Sequence, residues 1–242
     1  MMPSWDHDIP SIIGHRGSPL VAPENTLASF RAAVTEGAQA VELDVRLTRD
    51  DEVVVMHDAA LGRMVVGSGL VETMDAAPLR ALDAGKGEHV PTLREVLREF
   101  PALLIDVEIK ADAANAEALP KRVAQVVREE SAVDRVLVTS FEPTLASEYA
   151  ALVGRDAGFI VPFPITPEDV EEFVGIKHVM LVADAAEREV IAPFVRRGIR
   201  VHVWTVNDST TAMELLARGA SSVITDRPGR LLRALRASEP AP

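Results

Sequence analysis

The chain contains no cysteine. That absence rules out a disulfide framework, a thiolate nucleophile and a cysteine metal site, and it is compatible with a reducing compartment. Long apolar runs are missing as well: none reaches the roughly 18 residues that a membrane-spanning helix needs. The opening MMPSWDHDIP lacks a basic segment followed by an apolar core, so no secretion signal and no stable membrane anchor are expected, and the expected location is cytoplasmic. Positive charge is scarce. A net charge of −12 repels phosphate polymers at long range and argues against nucleic acid as a partner, so a small phosphate ester would need a local basic patch.

What is present fits a soluble globular protein, with 48% hydrophobic and 26% charged residues in 242 positions. The length allows one or two domains, but a single α/β barrel of about 200 to 250 residues is equally ordinary.

Residues 12–58 concentrate the reactive side chains. Ser11 to Gly14 reads as a strand that exits through Gly14-His15-Arg16-Gly17, where glycines allow a sharp turn beside a ligand. Pro23-Glu24-Asn25-Thr26 opens a helix with Leu27, Phe30, Ala33 and Val34 at helical spacing and Asn25 or Thr26 as its cap. Ala40 to Leu47 alternates as a strand, so Glu42 and Asp44 share one face while Val41, Leu43 and Val45 share the other. Val53 to Met56 returns as a hairpin and delivers His57 and Asp58. Residues 59–91, rich in glycine, read as an insertion too irregular to be a core element. In Leu103 to Lys110, Asp106, Glu108 and Lys110 again share a face.

Beyond it a strand-helix rhythm continues, with strands over 135–140, 156–161, 178–183, 200–206 and 221–225. Helices are expected near 115–130, 142–153, 167–174, 185–197, 208–218 and 228–237. Strands separated by helices imply parallel pairing, and eight such units close a (β/α)₈ TIM barrel spanning 1–242. An open doubly wound sheet competes. The barrel is preferred because reactive residues recur at the ends of many strands, and a barrel gathers all those ends at one mouth.

Three carboxylates, Glu42, Asp44 and Glu108, cannot share a mouth unless protonated, paired or bound to a cation. Hard oxygen donors select one Mg²⁺ or Ca²⁺. Three carboxylates against a divalent cation leave one negative charge, and Arg16 and Lys110 turn the assembled site slightly positive, as a phosphodiester requires. His15 and His57 can move the protons that P–O cleavage demands, but chemistry alone does not say which is base and which is acid.

These residues resemble a known family. His15-Arg16-Gly17, Pro23-Glu24-Asn25-Thr26, Glu42-Leu43-Asp44, His57-Asp58, Glu108-Ile109-Lys110, Trp204-Thr205-Val206-Asn207 and Ile224-Thr225-Asp226-Arg227-Pro228 are similar to the glycerophosphodiester phosphodiesterase pattern, over about residues 12–232. The resemblance implies a TIM-barrel hydrolase of small glycerophosphodiesters with an insertion after the second strand, releasing sn-glycerol 3-phosphate and an alcohol. It implies that Glu42, Asp44 and Glu108 bind the cation, that His15 is the base and His57 the acid, that Arg16 and Lys110 hold phosphate, and that Trp204 lines the glycerol or alcohol pocket. A lysophospholipase D-type activity is the neighbouring alternative, and a metal-dependent aldolase or lyase barrel a more distant one.

Two departures stand out. Leu61-Gly62-Arg63-Met64-Val65 replaces a Leu-x-Arg-Thr-Thr pattern, and His202 stands where relatives often carry asparagine; it reads as a hydrogen-bonded filler of the barrel. Glu24 and Asn25 read as partners of the site or as helix-opening residues. Asp106 and Ser140 read as polar fillers, Met56, Phe141 and Phe163 as packing residues, and Asp112, Asp184 and Asp226 as helix-start or loop residues.

Overall fold

The computed structural model describes residues 3–173 and 175–238. Runs rich in Val, Ile and Leu become strands because such side chains fit a pleated surface buried on both faces. In chain order these are β1 (Ile12–His15), β2 (Ala40–Leu47), β3 (Val53–Val55), β4 (Leu104–Ile109), β5 (Val136–Ser140), β6 (Gly158–Val161), β7 (His178–Val182), β8 (Arg200–Trp204) and β9 (Ser222–Thr225). Only β3 is antiparallel, returning along the end of β2. The other eight pair in parallel, and β1 bonds to both β9 and β2, which closes the ring. The expected (β/α)₈ barrel is the observed architecture, and that closure excludes an open sheet.

Helices α1 (Leu27–Thr35), α2 (Ala76–Arg80), α3 (Leu93–Glu99), α4 (Leu119–Glu129), α5 (Pro143–Val153), α6 (Arg188–Arg196), α7 (Ser209–Arg218) and α8 (Pro228–Ser238) follow the strands. Thr26 caps α1, its hydroxyl accepting from the Ser29 N–H, while Val34 of the expected apolar stripe faces solvent. The helix expected over 167–174 is instead a single 3₁₀ turn, Asp169–Glu172, and residue 174 lies outside the described residues. Pro162, Pro164 and Pro167 explain the loss, since each removes a backbone donor in the run-up to that turn. Among the described residues no helix is long and apolar enough to cross a membrane.

The 59–91 excursion corrects the expectation that it contributes no core. Val65, Val71, Leu79, Ala84 and Val90 bury against Val54 and Met56 in a small cluster of their own. Turns rather than a regular period space these side chains, so no helix or strand pattern announced them.

Period-two alternation decides what enters the barrel. Ile13, Ala40, Leu104, Leu137, Met180 and Ile224 form its interior layer, and Trp5 packs beneath them as a floor. The Trp5 indole N–H is shared between the carbonyls of Ile105 at 3.3 Å and Arg135 at 3.1 Å. Against that indole lie two stacked imidazoles, His178 Nδ1 and His202 Nε2 being 2.9 Å apart. His202 thus fills the barrel as expected, whereas the role of Trp5 was not foreseen.

Burial, the largest cause, drives both histidines towards the neutral form, His178 down to about 2 and His202 to about 3. Both values lie below the ordinary histidine value of about 6.5, so between them the unfolded chain binds protons that the folded chain does not, and stability falls as pH falls below that value. His202→Asn removes one of the two groups. The drop in melting temperature between pH 8 and pH 5 is therefore expected to be smaller in this variant than in the parent; an equal drop would show that the pair does not govern acid lability.

Candidate active site

The turn after β1 is built by Gly14 and Gly17: a Cβ on Gly14 would collide with the Gly17 carbonyl, and Gly17 has φ +90°. The turn folds Arg16 back so that its own N–H donates to Glu42 Oε2 at 3.0 Å. Register does the rest. His15 lies beside Glu42 across β1–β2, Glu42 beside Asp106 and Asp44 beside Glu108 across β2–β4. His15 ends β1 and Glu108 lies one residue from the end of β4, and the register brings Glu42 and Asp44 of the longer β2 level with them, at the mouth where barrels place reactive groups, with Asp106 one layer below Glu108.

Glu42, Asp44 and Glu108 are buried and offer one carboxylate oxygen each, all within 4.8 Å of one another. Burial first, and then the charge of Asp44, push Glu42 up to about 7 and Glu108 up to about 8. Burial would raise Asp44 too, but Lys110 and Arg16 outweigh it and hold that carboxyl below the usual range. Lys110 Nζ stands 2.7 Å from Asp44 Oδ1, Arg16 Nε 3.2 Å from Oδ2, and the Asn25 amide donates to Oδ2 at 2.7 Å. Two carboxyls whose ionisation is opposed by burial and by a neighbouring carboxylate form a donor set that a divalent cation would satisfy. The oxygen-only chemistry suits a hard ion.

The two imidazoles face the same cleft, of about 450 Å³, which Trp204 also lines. Each is oriented from behind by a carboxylate: His15 Nδ1 by Asp226 Oδ1 at 2.7 Å, and His57 Nδ1 by Asp58 Oδ1 at 2.7 Å. With Nδ1–H committed to a carboxylate, Nε2 is the nitrogen left for a reacting group. Burial opposes a charged His15, but its hydrogen bond to Asp226 and the charge of Glu42 prevail and raise it. His57 is lowered, burial outweighing Asp44 and Asp58.

The structure therefore gathers His15, His57, Arg16, Lys110, Trp204 and the three acids at one mouth. It also corrects several expectations. Asp226 does lie in the loop between β9 and α8, as read, but it also stands on His15 and is itself held by the Asn207 amide at 2.7 Å. Phe141, read as packing, is 41% exposed at the cleft edge with its ring edge-on to Trp204, and Phe163 is 59% exposed. Of the ambiguous pair, Asn25 bonds Asp44 and Glu24 Oε1 accepts from Arg16 Nη1 at 2.8 Å, while helix capping falls to Thr26. Sequence reasoning missed Arg46, buried on the face of Glu42 and Asp44, whose Nε donates to the His57 carbonyl at 2.8 Å. The signal for Asp58, Asn207 and Asp226 was at hand, since all three lie inside the motifs that carried the resemblance.

Residues 15–230 match the Glycerophosphoryl diester phosphodiesterase family. YhdW of Bacillus subtilis strain 168 is 31% identical over 240 residues, covering 92% of this chain and 96% of YhdW. A glycerophosphodiester phosphodiesterase of Caldanaerobacter subterraneus is 26% identical over 241 residues, 93% of this chain and 97% of its own. A phosphodiesterase of Oleispira antarctica, solved with the product sn-glycerol-3-phosphate, superposes with a TM-score of 0.87 at 28% identity, covering 94% of this chain and 97% of that one. A match that runs from His15 into α8, on a barrel that carries the acids and imidazoles at one mouth, places this chain in the glycerophosphoryl diester phosphodiesterase family.

Proposed function

We propose that this chain is a cytoplasmic, divalent-cation-dependent hydrolase of small glycerophosphodiesters that releases sn-glycerol 3-phosphate and an alcohol, with the barrel and its 59–91 excursion acting as one catalytic unit. The observation that carries the reading is the pair of imidazoles across one cleft, each backed by a carboxylate, beside a buried triad of acids. Likeness to a phosphodiesterase that holds sn-glycerol-3-phosphate supports the choice of substrate class.

Glu42, Asp44 and Glu108 would hold one Mg²⁺ or Ca²⁺, which when bound supplies positive charge where the phosphoryl oxygens become more negative. Arg16 and Lys110 hold the phosphate, the first through a planar fork and the second as a point charge. His15 Nε2 takes the proton from the glycerol 2-hydroxyl, or from a water, as that oxygen attacks phosphorus. The bond from phosphorus to the alcohol oxygen breaks, and His57 Nε2 gives its proton to the departing oxygen. Attack by water gives sn-glycerol 3-phosphate directly; attack by the 2-hydroxyl gives a five-membered cyclic phosphate, which water then opens by breaking the bond from phosphorus to the 2-oxygen, His57 taking the proton of the water and His15 returning its proton to the 2-oxygen. Asp226 and Asp58 fix each ring and stabilise its charged form. Trp204 and the exposed edge of Phe141 form an apolar wall for the carbon chain of glycerol or of the alcohol.

A product assay tests the reading. With Mg²⁺ or Ca²⁺ present, glycerophosphocholine is expected to yield sn-glycerol 3-phosphate and choline in equal amounts. Clear preference for lysophosphatidylcholine would overturn the choice of substrate in favour of a lysophospholipase D. Aldol cleavage without phosphodiester hydrolysis would overturn the reaction class.

A further inference from the structure

Arg63 lies in the excursion, five residues beyond Asp58, and its guanidinium joins two carboxylates that each hold a different residue of the cleft. Nε donates to Asp58 Oδ2 at 2.5 Å and Nη2 to Asp58 Oδ1 at 3.1 Å, while Nη1 and Nη2 donate to Glu24 at 3.0 and 2.7 Å. Each carboxylate has a second partner. Asp58 Oδ1 accepts from His57 Nδ1, and Glu24 Oε1 accepts from Arg16 Nη1. A continuous chain of charge-assisted hydrogen bonds thus runs His57, Asp58, Arg63, Glu24, Arg16, and Arg16 stands in ion-pair contact with Asp44, Nε to Oδ2 3.2 Å.

We infer that Arg63 is a positioning residue: one rigid guanidinium sets the spacing and orientation of the proton donor His57 and of the phosphate-holding Arg16. The inference rests on the acid role proposed for His57. Three observations carry it. Asp58 is the side chain that engages the His57 ring nitrogen, and His57 is about one-third exposed, so the ring owes its orientation to this contact rather than to close burial. Asp58 and Glu24 converge on Arg63 from two directions, and without a cation between them two carboxylates would repel and turn away. The loop carrying Arg63 is anchored: Gly62 N–H donates to the Val65 carbonyl at 2.9 Å, and Val65 is buried in the excursion's own core. A planar fork with fixed donor directions can satisfy both acids at once, whereas a lysine ammonium supplies the same charge without the geometry.

The test compares two substrates that differ only in leaving group. Choline must be protonated as it departs from glycerophosphocholine, while 4-nitrophenolate departs from the glycerophospho-4-nitrophenyl ester without help. Assayed with Mg²⁺, Arg63→Gln is expected to lower kcat on the choline ester about 10- to 100-fold, the range seen when a group orienting a reactive imidazole is lost. On the nitrophenyl ester the kcat loss is expected to be about threefold or less. KM rises several-fold on both, because both present the same phosphate to Arg16. Arg63→Lys keeps the charge and is expected to recover less than half of the lost kcat.

Equal kcat losses on the two esters, an unchanged KM, or full activity in Arg63→Lys would each overturn the proposal. His57→Ala is the control. If it shows the leaving-group contrast and Arg63→Gln does not, Arg63 has no positioning role; if His57→Ala shows none either, the acid assignment fails instead. A readout independent of turnover is the ¹⁵N spectrum of His57 in the metal-free chain. It should report the Nδ1–H tautomer in the parent and a mixture of tautomers in Arg63→Gln; an unchanged spectrum contradicts the inference.

Discussion

Replacing His57 with alanine is expected to lower kcat for glycerophosphocholine by about 10²- to 10⁴-fold, and replacing His15 to do so by a similar factor. The two losses should differ in character. Without a proton donor, the penalty grows with the basicity of the departing alcohol, so His57→Ala should regain most of its rate on the 4-nitrophenyl ester. His15→Ala should not, because its defect lies in making the nucleophile. pH profiles give the same division. Rate rises with pH as the base loses its proton and falls as the acid loses its own, so His15→Ala should lose the acid limb and His57→Ala the alkaline limb. The cation-free chain makes this experiment decisive. There Asp226 and Glu42 favour a charged His15 while burial favours a neutral His57, the reverse of the resting protonation that the proposed roles need. A cation shared by Glu42 cancels one of the charges that hold the proton on His15, and the anionic substrate favours a charged ring at His57. If the nitrophenyl ester instead rescues His15→Ala and not His57→Ala, the two roles are exchanged.

Chelation is expected to abolish turnover, and readdition of Mg²⁺ or Ca²⁺ to restore it. Loss of a charge-neutralising cation is worth several kcal/mol at the transition state, on the order of 10³-fold in rate or more. Glu108→Gln and Asp44→Asn should behave like the chelated enzyme even in excess cation. A thermodynamic signature accompanies this. With Glu42 near 7 and Glu108 near 8 before binding, one or both carry protons at neutral pH, and the cation must displace them. Calorimetric titrations in buffers of different ionisation enthalpy should show proton release at pH 7. The release should fade above pH 9, where both groups are already ionised, and affinity should rise over the same interval. Undiminished turnover after chelation, or cation binding without proton release at pH 7 and unaffected by Glu108→Gln, would refute the carboxylate triad as the cation site.

How much of this was legible in the sequence follows from the range of each interaction. Glu42 and Asp44, or Glu108 and Lys110, are two positions apart in strands whose opposite-face side chains are all apolar. Parity alone put them on one face, and like charges so placed called for a cation. The excursion was illegible for the opposite reason: Val65, Val71, Leu79 and Val90 meet through turns that have no period. Phe141 read as a packing residue because composition is blind to whether a residue after a strand points inward or across the mouth.

By itself, then, the sequence determined the strand alternation, the count of eight parallel units and the set of acids and imidazoles at the strand ends, because each depends on spacings of a few residues that any chain must obey. Only the tertiary structure decided the partners of those groups. Asp226 reaches His15 across 211 positions because β1 pairs with β9, setting Gly14 beside Thr225. Arg63 reaches Glu24, and Trp5 the carbonyl of Arg135, by similar returns of the chain. Barrel closure sets these contacts, and no local pattern encodes which distant carboxylate a closing ring will bring to a given nitrogen.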